Sequence, residues 1–283
     1  MSKQILVPTD FSHHALIAAR YASSMAKQLG WSLHLIHTYT PFSSSFANEK
    51  FNQELLDHET DKAYANMRAF HDELAAEFPD LEITTSCLTG LLGDVLPEIS
   101  GQAKNELIVM GTKGASGLKH VILGSNTFEI IRKSPIPVLA VPETQAAFRW
   151  ETIGLLTNFK QSEINALQSA VAIVGRPKGL TLLHMFEKDS HRNEVDLTSW
   201  KDHIQDRLKI SKISYKAENL VNRMDVWEDF PDYVFNMVES ENIDVLVVTQ
   251  ERKGFLTKLF SRNLVKAIAH QLKVPVFFHN IGP

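Results

Sequence analysis

The chain has 283 residues, 44% of them hydrophobic and 22% charged, which is typical of globular proteins and, at about 100–200 residues per domain, predicts two domains. Its 29 basic and 33 acidic residues give a formal net charge of -4, which offers no cationic surface for nucleic acid or for an anionic membrane. The single cysteine, Cys87, excludes an internal disulfide, and no secretion signal or membrane-spanning stretch is recognisable, so a cytoplasmic location is expected.

Short apolar runs alternate with stretches of helical period along the first half, a pattern that predicts βαβ units. The first strand is predicted at residues 5–8, followed by a helix that Ser12 caps and Gly30 ends. Further strands are predicted at residues 32–37, 81–87, 106–110 and 134–141, with helices at 56–74 and 94–103 between them. Pro135 and Pro137 should confine the start of the last strand to an edge or an unpaired position, because proline cannot donate to a ladder.

A glycine-rich loop follows the fourth strand of the first half, between Gly111 and Thr127. Its four glycines let backbone N–H groups approach an anion where a Cβ would block them. Gly124 and Ser125 begin a helix whose free N–H groups and positive end point at the loop. Open α/β sheets bind their ligands after the carboxyl ends of parallel strands, so the sequence predicts a phosphate cradle here, with a flexible surface connection as the alternative.

The first strand ends at the same predicted edge, with Pro8-Thr9-Asp10. A carboxylate there can accept hydrogen bonds from ribose hydroxyls or from a ring amine, whereas it would repel phosphate. One anion-binding loop facing one acidic acceptor predicts a nucleotide rather than a bare phosphate. Asp10 can also cap the first helix alongside Ser12, and the two roles can coexist.

The same landmarks return in the second half of the chain. Residues 152–158 repeat residues 4–10, and three further strand segments repeat in the same order, each displaced by about 140 residues: 180–184 with 33–37, 244–248 with 106–110, and 273–278 with 134–139. This repeat predicts two domains, residues 1–144 and residues 149–283, separated by a short polar linker. His37 and His184 recur at equivalent strand ends, one of them in the half without the glycine loop, and are therefore predicted to be structural.

These motifs resemble those of the universal stress proteins of the UspA type. The resemblance is carried by Val7-Pro8-Thr9-Asp10-Phe11-Ser12, by Leu35-Ile36-His37, and by Gly111-x2-Gly114-x9-Gly124-Ser125, which matches the signature of the ATP-binding branch at every fixed position. It implies an α/β fold of two tandem Rossmann-like domains of the adenine nucleotide alpha hydrolase-like type, each a five-stranded parallel sheet flanked by helices. It also implies an intramolecular pseudo-dimer whose last strands, near Val138 and Val276, meet at the interface. A further homodimer is left open.

The resemblance implies which residues of the first half bind ATP, ADP or AMP. Asp10 and the backbone of Thr38 would face the adenosine, with Gly111 near the ribose. The phosphates would be held by Gly114, Gly124, Ser125 and Asn126. Lys113 is added as a phosphate contact because of its charge, and Mg²⁺ between the phosphates is compatible with this picture, although no protein ligand for it is evident. The strand-end residues Pro8, Thr9 and Met110 complete the predicted set.

The second half departs from this signature. Asn158 replaces the carboxylate, and Thr249 and Arg252 stand where the first two glycines would be. Ser261-Arg262 replaces the Gly-Ser pair, with one residue deleted from the loop. The second half is therefore predicted to be a degenerate site, although its basic residues could attract a different anion.

Two well-known nucleotide enzymes are excluded by their motifs. A dinucleotide-dependent dehydrogenase needs G-x-G-x-x-G after the first strand and a P-loop NTPase needs G-x-x-x-x-G-K-[ST], and neither is present. Three classes remain: a stress-response regulator whose nucleotide state is read by an unknown signalling partner, a slow ATPase using the same pocket, and a ligand-free interaction protein. No general base or water-positioning carboxylate is evident at the phosphate end, so the non-enzymatic regulator is preferred.

Overall fold

Strands and helices alternate along nearly the whole chain. The structure is a computed structural model, which describes residues 3–40, 49–112, 125–143, 147–186, 197–219, 226–251 and 272–281. The strands are β1 (Gln4–Pro8), β2 (Ser32–Tyr39), β3 (Ile83–Thr89), β4 (Asn105–Gly111), β5 (Val138–Val141), β6 (Thr152–Leu156), β7 (Gly179–Phe186), β8 (Ile213–Asn219), β9 (Val245–Glu251) and β10 (Val276–Ile281). The helices are α1 (His13–Leu29), α2 (Glu49–Glu77), α3 (Leu92–Ser100), α4 (Ser125–Lys133), α5 (Gln161–Val174), α6 (Leu197–Leu208) and α7 (Val226–Ser240). None of the helices in these ranges is long and apolar enough to cross a membrane.

The described strands form one ten-stranded sheet in the order β3-β2-β1-β4-β5-β10-β9-β6-β7-β8. Neighbouring strands are parallel within each half, and β5 pairs antiparallel with β10 at the junction. The α/β fold with five parallel strands in each half is therefore as predicted, and so is the contact between the last strands. The two halves share a continuous sheet instead of two separate ones, because the pairing satisfies the backbone groups of two strands that would otherwise be edges.

The hydrophobic core is continuous across the junction. Phe277 of β10 lies opposite Leu139 of β5, and Phe278 lies opposite Val138. Side chains alternate between the two faces of a sheet, so Phe277 packs into the core on the side of α1, α2, α5 and α6, whereas Phe278 packs on the side of α3, α4 and α7. Both rings are 1% exposed, which ties the two halves into one packed body.

Helix α1 begins and ends where its sequence predicts. The Ser12 hydroxyl accepts the N–H of Ala15 at 3.2 Å, which satisfies one of the free donors of the first turn. Gly30 follows the last turn with φ of 67°, a left-handed conformation that glycine adopts without steric cost, and its N–H bonds back to the carbonyl of Ala26. Both ends of α1 are therefore set by contacts within the helix and its flanking residues.

Strand β5 is shorter than the predicted segment 134–141. It begins at Val138, directly after Pro135 and Pro137, because neither proline can donate to a neighbouring strand. The carbonyl of Pro137 still accepts the N–H of Ile108 at 3.0 Å. The two prolines therefore set the start of a strand that lies in the middle of the sheet rather than at an edge.

Candidate functional site

The carboxyl ends of three adjacent strands of the first half meet at one edge of the sheet. Strands β2, β1 and β4 are neighbours and run parallel, so Thr38 near the end of β2, Asp10 after β1 and Gly111 at the end of β4 are brought to this edge together. The predicted nucleoside contacts are thus assembled on adjacent strands, at the place where open α/β sheets bind ligands.

The turn between β1 and α1 is held by its own side chains. The Thr9 hydroxyl accepts the N–H of Phe11 at 3.0 Å, and Asp10 Oδ1 accepts the N–H of Ser12 at 3.1 Å. Asp10 therefore forms a turn that leads into the N-cap residue Ser12, and it is Ser12 that accepts a donor of the first turn of α1. The Asp10 residue itself is exposed at the edge of the sheet.

Contacts between Phe11 and His37 hold this turn against β2. Phe11 has φ of 62°, a left-handed conformation that is rare for a bulky side chain, and its ring lies 4.3 Å from the ring of His37. His37 Nδ1 donates to the carbonyl of Thr9 at 2.8 Å. His37 is therefore a structural residue, as predicted, and it fixes the position of the segment that carries Asp10.

Gly111 lies where α1 approaches β4 most closely. A Cβ built on Gly111 would lie 2.9 Å from the carbonyl oxygen of His14, a backbone atom of the first turn of α1. The Thr127 hydroxyl donates to the carbonyl of Gly111 at 3.0 Å, which ties the start of α4 to the end of β4. Ser125 and Asn126, the first residues of α4, are exposed beside this contact. A helix N-terminus is thereby held next to the end of a central strand.

The remaining predicted residues divide into two groups. The side chains of Pro8 and Met110 are buried in the sheet, so their backbones alone can face a ligand, and Thr9 is 7% exposed. The predicted phosphate contacts Lys113, Gly114 and Gly124 lie outside the described residues.

The second half repeats the turn geometry of the first half. Phe159 has φ of 61°, its N–H bonds to the Thr157 hydroxyl at 2.9 Å, and its ring lies 4.8 Å from the ring of His184. His184 Nδ1 donates to the carbonyl of Thr157 at 2.8 Å, and burial lowers the pKa of its imidazole. The predicted structural role of His184 is confirmed, and this turn has the same backbone arrangement in both halves.

Glu163 is the main difference between the two turns. It stands where the first half has Ala15, is 2% exposed, and folds back over the turn. Its carboxylate accepts the Thr157 hydroxyl at 2.5 Å, the N–H of Asn158 at 2.9 Å and the N–H of Lys160 at 3.1 Å. Sequence reasoning missed this residue, because the N-cap three positions before it is Lys160, whereas a capping box has serine or threonine at that position.

The buried carboxyl of Glu163 should make stability depend on pH. Burial raises its pKa above the ordinary value, so the folded chain holds the proton more tightly than the unfolded chain. The stabilisation by the protonated carboxyl is complete below the ordinary glutamate pKa of about 4.3. It is lost as the pH rises through the raised pKa that Glu163 has in the folded chain.

We expect the Glu163→Gln variant to show no such loss of stability with rising pH, because glutamine cannot ionise. The free energy of unfolding of the wild type relative to the variant should fall by about 1.4 kcal/mol for each pH unit between the unfolded and folded pKa values. Urea denaturation of both proteins from acid to neutral pH measures the difference. A difference that is the same at every pH would show that the carboxyl is not perturbed.

Thr249 occupies the position that Gly111 has in the first half. It is 8% exposed at the end of β9, and its hydroxyl oxygen is buried without a hydrogen-bond partner. The second half therefore carries a side chain at the position where β4 has none. Arg252, Ser261 and Arg262, which replace the rest of the glycine signature, lie outside the described residues.

The comparisons with known proteins point to one family. A model of the universal stress protein family matches residues 1–142. Universal stress protein MJ0531 of Methanocaldococcus jannaschii is 32% identical over 143 residues, which are 49% of this chain and 81% of that protein. A universal stress protein of Thermus aquaticus is 31% identical over 141 residues, 50% of this chain and 99% of that protein.

The fold of the whole chain also has a solved counterpart. The crystal structure of a universal stress protein from Archaeoglobus fulgidus superposes with a TM-score of 0.69 at 17% identity, and the alignment covers 100% of this chain and 97% of that chain. This likeness concerns the fold, including the arrangement of two halves. Because the family model covers half of the residues, the chain belongs to the universal stress protein family.

Proposed function

We propose that residues 1–144 form a domain that binds ATP or a related adenine nucleotide, and that residues 149–283 form a second domain whose equivalent site is degenerate. The observation that carries the proposal is the position of Gly111. It is packed against the backbone of α1, and it lies between the carboxylate after β1 and the N-terminus of α4.

Each part of this edge suits a different part of a nucleotide. The first N–H groups of α4 have no partner within the helix and lie at its positive end, which favours phosphate. The Asp10 carboxylate can accept hydrogen bonds from ribose hydroxyls or from the amine of a base. Adenine is the proposed base because the glycine signature resembles that of the ATP-binding universal stress proteins.

The second half offers less to a nucleotide at the same place. The Thr249 side chain fills the position of the first glycine, and Asn158 supplies no charge. Glu163 already accepts the hydroxyl and backbone donors of the turn. We therefore expect one adenine nucleotide for each chain rather than two.

We infer that nucleotide binding serves regulation and not efficient catalysis. The residues that we assign to the phosphates, Lys113, Gly114, Gly124, Ser125 and Asn126, include no carboxylate or imidazole that would activate water for hydrolysis. A steady-state assay of ATP hydrolysis should give a rate far below the ~10 s⁻¹ of a typical enzyme. A rate near that value would make the chain an ATPase, and the absence of any nucleotide binding would leave an interaction protein without ligand.

Asp10→Asn should weaken nucleotide binding without disturbing the turn. Asparagine keeps an acceptor for the N–H of Ser12 and is the residue that the second half carries as Asn158. We expect roughly a tenfold weaker affinity in calorimetry, because hydrogen bonds to a charged acceptor contribute ~1.5–3 kcal/mol against about 0.5–1.5 kcal/mol for neutral ones.

The matched control is Asn158→Asp, which makes the opposite change at the equivalent turn. It should leave both the affinity and the stoichiometry unchanged. If Asp10→Asn binds the nucleotide as tightly as the wild type, or if Asn158→Asp binds it more weakly, the nucleotide site does not lie at the end of β1.

A further inference from the structure

One flank of α2 carries a stripe of side chains with a regular order of charge. Five residues recur at spacings of four, three, four and three and so share one face of the helix: Asp57, Asp61, Tyr64, Arg68 and His71. The two acidic residues come first, the tyrosine lies in the middle, and the two basic residues come last. This face lies beside the buried stripe of α2 rather than within it.

The stripe lies next to the edge of β3 that pairs with no other described strand. Tyr64, Arg68 and His71 line a cavity of about 380 Å³ together with Ile83 and Thr84 of that strand. Tyr64 is 52% exposed, an unusual degree for a large aromatic ring at the centre of a charged face. Tyrosine and arginine are also the residues that dominate the energy of protein interfaces.

Strand β3 is one outer edge of the sheet that the described strands form. Its sequence, Ile-Thr-Thr-Ser-Cys-Leu-Thr, contains neither a charge nor a proline. Strand β8 at the other end carries Lys216 and Glu218, and charged residues are a common way to prevent pairing at an edge. The two outer edges of the same sheet are thus protected differently.

The charges of the stripe complement those of a second, antiparallel copy. A two-fold axis near Tyr64 brings Asp61 of one copy against Arg68 of the other, and the same pair forms again on the other side of the axis. Within the part of the chain that the structure describes, no ion pair involves Asp61 or Arg68, so both are free to pair with a partner. Asp57 and His71 each have a neighbour on their own helix, Gln53 and Asp72.

We propose that the outer face of α2 and β3, defined by Asp61, Tyr64, Arg68 and Thr85, the last on the same side of β3 as Ile83, is the surface through which two copies of this chain associate. The same two-fold axis sets the β3 strands of the two copies antiparallel, the arrangement that β5 and β10 already use within one chain. This inference does not depend on nucleotide binding, since the surface belongs to a different edge of the molecule.

Charge reversal tests this surface in the full-length chain. In Asp61→Arg, and separately in Arg68→Asp, like charges face each other across the axis, so sedimentation velocity should show a dimer dissociation constant raised roughly tenfold or more. An equimolar mixture of the two variants restores opposite charges at both pairs and should recover the wild-type dimer. The double variant Asp61→Arg, Arg68→Asp should recover it as well.

Asp202→Arg on α6, the corresponding helix of the second half, is the control and should sediment like the wild type. Circular dichroism should report the same helix content for every variant, because the reversed residues are exposed. A wild type that stays monomeric over the whole concentration series would overturn the proposal. So would two single variants that dimerise as well as the wild type, or a mixture of them that fails to dimerise.

Discussion

Gly111→Val is expected to abolish nucleotide binding and to lower the free energy of unfolding by about 1–3 kcal/mol, the usual cost of overpacking a tight contact. A Cβ at this position would lie 2.9 Å from the carbonyl oxygen of His14 and 3.2 Å from its carbonyl carbon. Both are backbone atoms, so the side chain cannot be accommodated by a rotamer change. The first turn of α1 has to move away from β4, and the Asp10 segment moves with it.

Thr249→Val is the matched control for this change, because Thr249 is the equivalent residue of the second half. The valine removes a buried hydroxyl that has no hydrogen-bond partner, so stability should be unchanged or slightly higher. Calorimetry with ATP and urea denaturation measure both variants. Nucleotide affinity that survives in Gly111→Val would show that the ligand does not depend on the contact between α1 and β4.

Phe277→Ala should lower the free energy of unfolding by about 3–5 kcal/mol, the range found when a large aromatic side chain is removed from a core. Phe277 is 1% exposed and lies between two neighbouring strands, opposite Leu139 of β5 and Val247 of β9. It belongs to the same cluster of buried residues as Ile5 in the first half and Ile153 in the second. The cavity would therefore open at the junction of the two halves.

Leu91→Ala provides the comparison for Phe277→Ala. Leu91 is 65% exposed, so the same kind of truncation should change stability by no more than about 0.5 kcal/mol. Urea denaturation followed by tryptophan fluorescence measures both. A loss below about 1 kcal/mol in Phe277→Ala would mean that the pairing of β5 with β10 does not carry a packed core.

The elements that depend on local chemistry could be predicted from the sequence. Ser12 caps α1 and Gly30 ends it, because a hydroxyl acceptor and a left-handed residue act within one turn of the chain. The ends of β1 and β4 were predicted to within one residue, since continuous apolar runs stop at a turn signal. The internal repeat predicted that both halves would share an architecture, and the shared turns at Phe11 and Phe159 show how closely they do.

Features that depend on distant parts of the chain were predicted only in part: the resemblance implied that the last strands meet, but not that they pair into one sheet. The continuous sheet requires β5 and β10 to pair across more than a hundred residues, and no local pattern states that register. Glu163 also escaped attention, although its partners are local, because the N-cap three positions before it is Lys160 and not the serine or threonine of a capping box. The charged stripe of α2 was likewise not predicted, since only the folded chain places it beside the outer edge of β3.

We expect backbone amides between residues 111 and 127 to hold the phosphates of an adenine nucleotide in the first half alone. Titration of ATP, ADP and AMP into the full-length chain and into the double variant Gly114→Val, Gly124→Val is the decisive experiment. One ATP should bind to each wild-type chain and none to the double variant, whose new side chains would fill the cradle. Equal affinity in both proteins, or two nucleotides for each wild-type chain, would contradict it.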